Sequence, residues 1–468
     1  MVSLCPSGFV NVGCVICVVL MSLVFTSCDR NSSGKNGEPD SQLATGKTPI
    51  SPEIQADFDK AVDEAVKAIG KSDINGAKEI LTSLCKQHPS LQPPGIILSQ
   101  IFVRTRNGNI IKPVLDMTTN ETPDDPEAYI LLGEIALQQR EFTVADLLLR
   151  EGELKLTKYS ANKIRKKNLT SLLLRLQSLL AEVRGKWELY YQLADKRIAH
   201  DGELPALLRQ KGIALFQQKK DAEAASLFAR ADNIKIKPTD SQPNNAEQGL
   251  PAEAMLSRLY LARGDHDSAK KYLTDALAKH PNSREVLLLS IQSRLNDNTP
   301  EEAKKLADKL AGDFPDFEAA TRIRATIALY LNDYPAAEKL FQELIVISPS
   351  DTQAVNGLAL ALCEQNDPKK LQRAIDYARD NVSKNQQNTE FWSTFGWVLF
   401  KANQFDASKQ ALQRSTASGV SSATAYYIAN LERQAGNKDE AKRLLNLALN
   451  STAPFAKRRD AAKLLSEL

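Results

Sequence analysis

Residues 261–281 read LARGDHDSAKKYLTDALAKHP, and the order of small residues and proline in this stretch decides the fold. Ala269 and Ala276 follow a Gly and precede Pro281. Ala303 lies 34 residues past Ala269 and Ala337 a further 34, while Pro281, Pro315 and Pro349 keep the same step. Two independent markers hold one register over three units. A period of about 20–50 residues is the signature of a solenoid or another repeat array.

Working outward, the small-residue marker is followed through Ala77, Ile111, Ala145, Tyr190, Ala224, Ala269, Ala303, Ala337, Ala374, Ser408 and Ala441, eleven helix pairs in all. Ile111 and Tyr190 mark degenerate units accepted because the 34-residue step from Ala77 to Ala145 and from Tyr190 to Ala224 is kept. Three intervals break the step: 45 residues from Ala145 to Tyr190, 45 from Ala224 to Ala269, and 37 from Ala337 to Ala374. The second break, NIKIKPTDSQPNNAEQGLP, is rich in Pro and Asn and reads as an exposed loop and hinge at 233–250. The third is expected in NDPKK.

The helix pairs resemble the tetratricopeptide repeat. In FWSTFGWVLFKANQFDASKQAL, Trp392, Phe395, Gly396 and Leu399 fall at i, i+3, i+4, i+7 on the first helix, and Phe405, Ser408 and Leu412 carry the second. AYILLGEIALQQREFTVADLLL and LLRQKGIALFQQKKDAEAASLFARA hold the same spacing, the latter with Gly212, Ala224, Phe228 and Ala231. Small residues let two helices approach, large ones fill the space beside them, and Pro ends the second helix. The resemblance implies an all-α, right-handed superhelical solenoid of helix-turn-helix repeats. Its arrays are expected over 52–232 and 251–450, with 451–468 as a charged amphipathic helix capping the last repeat.

Composition narrows the function. The 60 Lys and Arg against 57 Asp and Glu give a net charge of +3, so no global attraction to nucleic acid is expected. No GxxxxGK[ST], HExxH or GxSxG is present, and the four His lie apart in sequence. Neither an enzyme nor a cofactor or metal site is expected. A binding module remains, and two features point to where it binds. Residues 155–186 hold Lys155, Lys158, Lys163, Arg165, Lys166, Lys167, Arg175, Arg184 and Lys186 against the single acid Glu182. Such a stretch either faces an anionic partner or is a solvated face neutralised by other repeats. Trp397 lies about 140° around its helix from Trp392, which is assigned to the core. It therefore falls either on the surface lined by the first helices or in a wedge between repeats. Arg258, Gln292, Thr326 and Leu360 hold the equivalent places in earlier repeats, and Asn430 in the next. Arg322, Asn356 and Tyr426 sit one turn before that row. The resemblance implies that this concave surface takes an extended peptide or a partner helix.

The first 27 residues contain no charged side chain and include GCVICVVLMSLVFTSC, which ends at Cys28. The run is the length of a signal-peptide core. FTSC resembles a bacterial lipobox, although no Lys or Arg precedes the apolar run. The resemblance implies a signal peptide at 1–27, lipid on Cys28, and a body on the periplasmic face of a bacterial cell or outer membrane. A plain signal peptide or an uncleaved span is the alternative. Residues 28–51 are polar and Gly/Ser/Pro-containing, a tether with a reach of about 25–30 Å. Cys85 and Cys363, on apolar helix faces eight repeats apart, read as buried hydrophobes and not as a disulfide.

These readings converge on a membrane-anchored scaffold with a protein or peptide partner in the cell envelope. Tetratricopeptide lipoproteins of this plan occur in exopolysaccharide export and in pilus and envelope assembly. A carbohydrate- or peptidoglycan-binding protein using the basic stretch and the groove aromatics is the alternative.

Overall fold

The computed structural model describes residues 52–105, 107–234, 250–451 and 453–468. The expected leader, the lipid site Cys28, the tether and residues 235–249 of the expected loop lie outside the described residues. Among the described residues there are 23 helices and no strand, and the chain divides into two compact units between Gly249 and Leu250. The N-terminal unit holds α1 (Pro52–Gly70), α2 (Ile74–Gln87), α3 (Pro94–Arg104), α4 (Gly108–Glu121) and α5 (Pro126–Gln138). It continues through α6 (Phe142–Lys158), α7 (Lys163–Val183), α8 (Trp187–Asp201), α9 (Pro205–Gln217) and α10 (Asp221–Asn233). The C-terminal unit opens with α11 (Ala252–Arg263), α12 (His266–Lys279), α13 (Arg284–Asn296), α14 (Pro300–Asp313), α15 (Glu318–Tyr330) and α16 (Tyr334–Ile347). Then follow α17 (Thr352–Cys363), α18 (Pro368–Lys384), α19 (Thr389–Lys401), α20 (Phe405–Ser415), α21 (Ser422–Gln434), α22 (Lys438–Asn450) and α23 (Arg458–Glu467).

Odd and even helices form the pairs up to α22, and each of the eleven marker residues sits buried on the second helix of its pair. Their smallness is a packing requirement. At Gly212 an added Cβ would lie 2.5 Å from the Phe228 ring, and at Gly396 it would lie 2.5 Å from Leu412. Ser408 replaces the usual Ala without a buried orphan, because its hydroxyl donates to the Gly396 carbonyl at 2.8 Å. Except in the α3–α4 turn, which includes residue 106 outside the described residues, the turn within each pair is closed by one left-handed residue. Asn298, Asn332, Asn366 and Asn403 (φ 52–58°) and Gly264 and Gly436 (φ 85° and 88°) do this in the C-terminal unit, Asn and Gly being the residues that tolerate such a φ.

The departures from the 34-residue step go into helix length where they are described. α6 and α7 run to 17 and 21 residues between Ala145 and Tyr190, and α18 runs to 17 residues, starting further ahead of its marker than α16 does. In the C-terminal unit successive first helices touch one another, α15 on α17, α17 on α19 and α19 on α21. The first helices therefore line the inner side of the curve. Gly357 on α17 lies under the ring of Phe341 on α16, with an added Cβ 2.3 Å from that ring. Gly357→Ala is expected to destabilise by about 1–3 kcal/mol through overpacking, despite the better helix propensity of Ala. Urea titration checks this, and a neutral or stabilising result would mean that α16 and α17 can part at no cost.

Residues 451–468 do more than cap the last repeat. Arg458 binds the Leu449 and Ser451 carbonyls, as a cap would. The same segment, however, buries Phe455, Ala461 and Leu464 in the core shared by α15 to α22. It also reaches back to the start of α14, where Arg459 forms a two-point ion pair with Glu301 at 2.7 and 3.0 Å.

Candidate partner-binding face

The inner row of the C-terminal unit does not behave as one open groove. At its start, Arg258 is half-buried, has no acid partner among the described residues, and its pKa is depressed by burial. Gln292 is exposed and donates only to Asn296. Thr326 donates to the Arg322 carbonyl, and Arg322 pairs with Asp351 at 2.6 Å and Glu318 at 3.2 Å. Burial opposes the Asp351 charge, but Arg322 and the α17 amides hold its pKa below the ordinary range. Asn430 is half-buried and donates to the Tyr426 carbonyl.

Three residues expected on the open surface are in the interior. Trp397 is 4% exposed, Tyr426 7% and Asn356 3%. Trp397 stacks on Tyr427 at 4.6 Å and on Phe400 at 5.2 Å, with Tyr426 at 5.6 Å. Its wedge position between repeats is the observed one. The paired expectation for Trp392 is overturned as well: it is only half-buried, lies under the Arg414 guanidinium at 4.5 Å, and donates to the Gln386 carbonyl at 2.8 Å. The physical reason is that α19 has neighbours on three sides. It touches α20, α18 and α21. Its buried arc is consequently far wider than a single i, i+3, i+4 stripe, and Trp397 stands in the middle of that arc.

A buried polar centre completes the picture. Glu364, 9% exposed, accepts from Trp397 Nε1 at 2.9 Å and from Lys457 at 3.0 Å, with Lys401 at 3.2 Å. Burial works against its charge, yet Lys457, Lys401 and Trp397 together keep its pKa below the ordinary range. Lys457 also donates to the Tyr334 hydroxyl and lies 4.9 Å over that ring. Sequence reading missed Glu364, Tyr334 and Lys457. The available signal was Glu364 itself, a charge directly after the apolar run LALALC.

The basic stretch is likewise divided by the structure. Arg165 is not on the surface: it is 3% exposed, binds Asp125 through two nitrogens at 2.7 Å, and binds Glu127 at 2.7 and 2.9 Å. Lys155 is paired with Asp124 and Glu151, Arg175 with Glu134, and Arg184 with Asp146. Lys166 donates to the Thr157 carbonyl. What remains is Lys158, Lys163, Lys167 and Lys186, exposed and without an acid partner among the described residues, the first three beside Leu154 and Ile164 at 60% and 52% exposure. No group of three or more metal-ligating side chains occurs among the described residues. The Cys363 thiol is buried, and burial pushes the Cys85 thiol up to about 11.

With the repeat geometry in place, the comparisons with known proteins can be set beside it. Two family models described as tetratricopeptide repeat match residues 260–327 and 323–385. The chain is a tetratricopeptide-repeat protein. No curated protein matches it. Similar solved structures include a tetratricopeptide repeat protein from Parabacteroides merdae, 14% identical, which covers 56% of this chain and 97% of its own with a TM-score of 0.44. Yeast Tom70 is 12% identical over 89% of this chain and 96% of its own, with a TM-score of 0.33. Pseudomonas aeruginosa pilF is 17% identical over 45% and 96%, with a TM-score of 0.31. At these identities nothing about partners transfers from them. Tetratricopeptide arrays are protein-interaction scaffolds that take protein or peptide partners, and that much holds here.

Proposed function

We propose that this tetratricopeptide-repeat protein is an envelope scaffold, held to a bacterial membrane by lipid on Cys28 and binding a protein partner on the inner row of its C-terminal unit. Arg258 carries the binding half of this reading. A half-buried guanidinium with no acid partner among the described residues is costly to leave unpaired, and a carboxylate from a partner would satisfy it. FTSC and the polar 28–51 support the anchor. No helix among the described residues is long and apolar enough to cross a membrane. Roles in exopolysaccharide export or in pilus and envelope assembly fit a tethered scaffold.

The second reading, direct binding of an acidic polysaccharide or peptidoglycan, is favoured by unpaired Lys158, Lys163 and Lys167 beside exposed Leu154 and Ile164. Cys28→Ser tests the anchor and yields a soluble chain for the rest. Wild type is expected in the membrane fraction and the variant in the soluble one. A variant that stays in the membrane, with no lipid on wild type by mass spectrometry, would remove the anchor. Partner capture by the soluble variant should persist at high salt, because the Arg258 pair is partly buried. Binding to polysaccharide through three surface lysines should collapse over the same range.

A further inference from the structure

The chain's own C-terminal segment lies against the starts of α14 and α16, the residue after α17, and the core cluster that α19 and α21 share. Lys457 meets Glu364 93 residues upstream and Tyr334 123 residues upstream, and Arg459 meets Glu301 158 residues upstream. Phe455 enters the cluster that holds Trp397, Tyr426 and Tyr427. A segment touching elements that far apart in sequence bridges several repeats of the C-terminal unit. We propose that this surface is a docking site for a partner segment that carries an aromatic residue, a cation two residues on and a second cation two residues further as it leads into a basic amphipathic helix, and that residues 453–468 occupy it in cis. This deepens the scaffold reading and rests on it.

The partner's chemistry follows from what the site would lack once the segment leaves. The Lys457 and Glu364 side chains are 10% and 9% exposed, so both members of their ion pair are about nine-tenths enclosed. Withdrawing Lys457 leaves the mostly enclosed Glu364 carboxylate with Lys401 and Trp397 Nε1 and removes its ion pair on the side the segment covers. An incoming segment that brings a cation to the depth of Lys457 is therefore favoured over one that does not. The Tyr334 hydroxyl accepts from that same cation and its ring faces it, so the cation site has two further determinants besides the carboxylate. Glu301, 57% exposed, marks the rim contact for the second cation. Phe455 supplies the apolar anchor that an aromatic residue of the partner would replace. Cis occupancy explains how such a face stays soluble and selective. The segment competes at the effective concentration set by the short stretch between α22 and Phe455, so only a helix matching all three contacts displaces it.

The test uses the full chain. A fluorescein-labelled peptide of residues 451–468 is titrated with wild type, with Lys457→Met and with Arg459→Ala, and followed by anisotropy. Wild type is expected to bind weakly, and each variant about tenfold or more tighter because its own segment competes less well. A peptide carrying Lys457→Glu is expected not to bind any of them. No gain in either variant, with helix content intact by circular dichroism, overturns the proposal. Dimerisation of the variants in light scattering without peptide also overturns it, since the occupant is then a second copy. Because Lys457→Met lowers stability as well, hydrogen exchange on wild type is the second measurement. Amides of 458–467 exchanging about tenfold or more faster than those of α19 support a segment that leaves while the repeats stay folded. Equal rates would make it a fixed part of the core and overturn the proposal. A chain that captures a protein partner through another surface but never takes the peptide fails this inference alone and leaves the scaffold reading standing.

Discussion

Arg165→Met is expected to destabilise the N-terminal unit by about 3–5 kcal/mol, because it withdraws one side of a buried ion-pair cluster and leaves the other behind. Arg165 enters α7 three residues after Asn162, whose side chain accepts from its amide at 3.0 Å. From there its guanidinium joins Asp125 and Glu127 at the start of α5, with the Tyr159 hydroxyl at 3.0 Å and its ring at 5.2 Å. Met fills much of the same volume, so the loss is electrostatic. The pH dependence separates it from packing. Burial pushes the Glu127 carboxyl above its ordinary range, against the pull of Arg165 and the Gln92 amide. With the guanidinium gone, the folded-state pKa rises further. A raised folded pKa gives stability that is fully present below the unfolded value of about 4.3 and is lost as pH rises through the folded one. The deficit of the variant against wild type should accordingly be small near about pH 4 and full near about pH 7. Urea titrations at both values check this. An equal deficit at both would assign the loss to the packing of the Arg stem.

The contrast between Arg165 and the eleven repeat markers shows what was legible. A small residue where two helices cross is a local requirement repeated every 34 residues, so Ala77 through Ala441 could be followed through two degenerate units. Charge counting has no such anchor: it placed Arg165 with its lysine neighbours, although its acids lie 38 and 40 residues upstream on the preceding repeat. The signal was present in another form. Arg165 shares a face with Leu169, Leu172 and Leu176, and a lone charge on an apolar stripe announces a buried partner.

The C-terminal segment caps the last repeat as expected but reaches further than its pattern shows. Its amphipathic pattern and position after the last repeat are those of a cap, and both properties are real. Its contacts with Tyr334, Glu364 and Glu301, however, span three to five repeats, and no periodicity encodes the curvature that brings those helices to the same place. Trp397 and Tyr426 of the inner row belong to the cluster that the segment enters through Phe455, whereas Arg258 and Gln292 lie ahead of the contacts it makes.

Trp397→Ala should cost about 3–5 kcal/mol, and Trp392→Ala only about 1 kcal/mol, reversing the order that their positions in the repeat pattern suggest. Both are Trp on α19, so helix propensity and side-chain size cancel in the comparison. Trp397 is packed between Phe400 and Tyr427, and its removal opens a cavity in the cluster that also holds Phe455. Its indole N–H is one of three donors to Glu364, and Lys401 and Lys457 remain when it is gone. The carboxylate is therefore weakened and not stranded, and most of the cost is cavity. Trp397→Phe isolates the donor: it keeps an aromatic ring in place and should lose only about 1–2 kcal/mol. Trp392, by contrast, gives up an exposed stack on Arg414 and one hydrogen bond to Gln386, groups that water can serve instead. Urea titrations of the three variants decide the matter. If Trp392→Ala proved as costly as Trp397→Ala, the core of this repeat would run through Trp392 and Phe395 after all. If Trp397→Phe lost as much as Trp397→Ala, the hydrogen bond to Glu364, and not the stacked rings, would hold this repeat to the one before it.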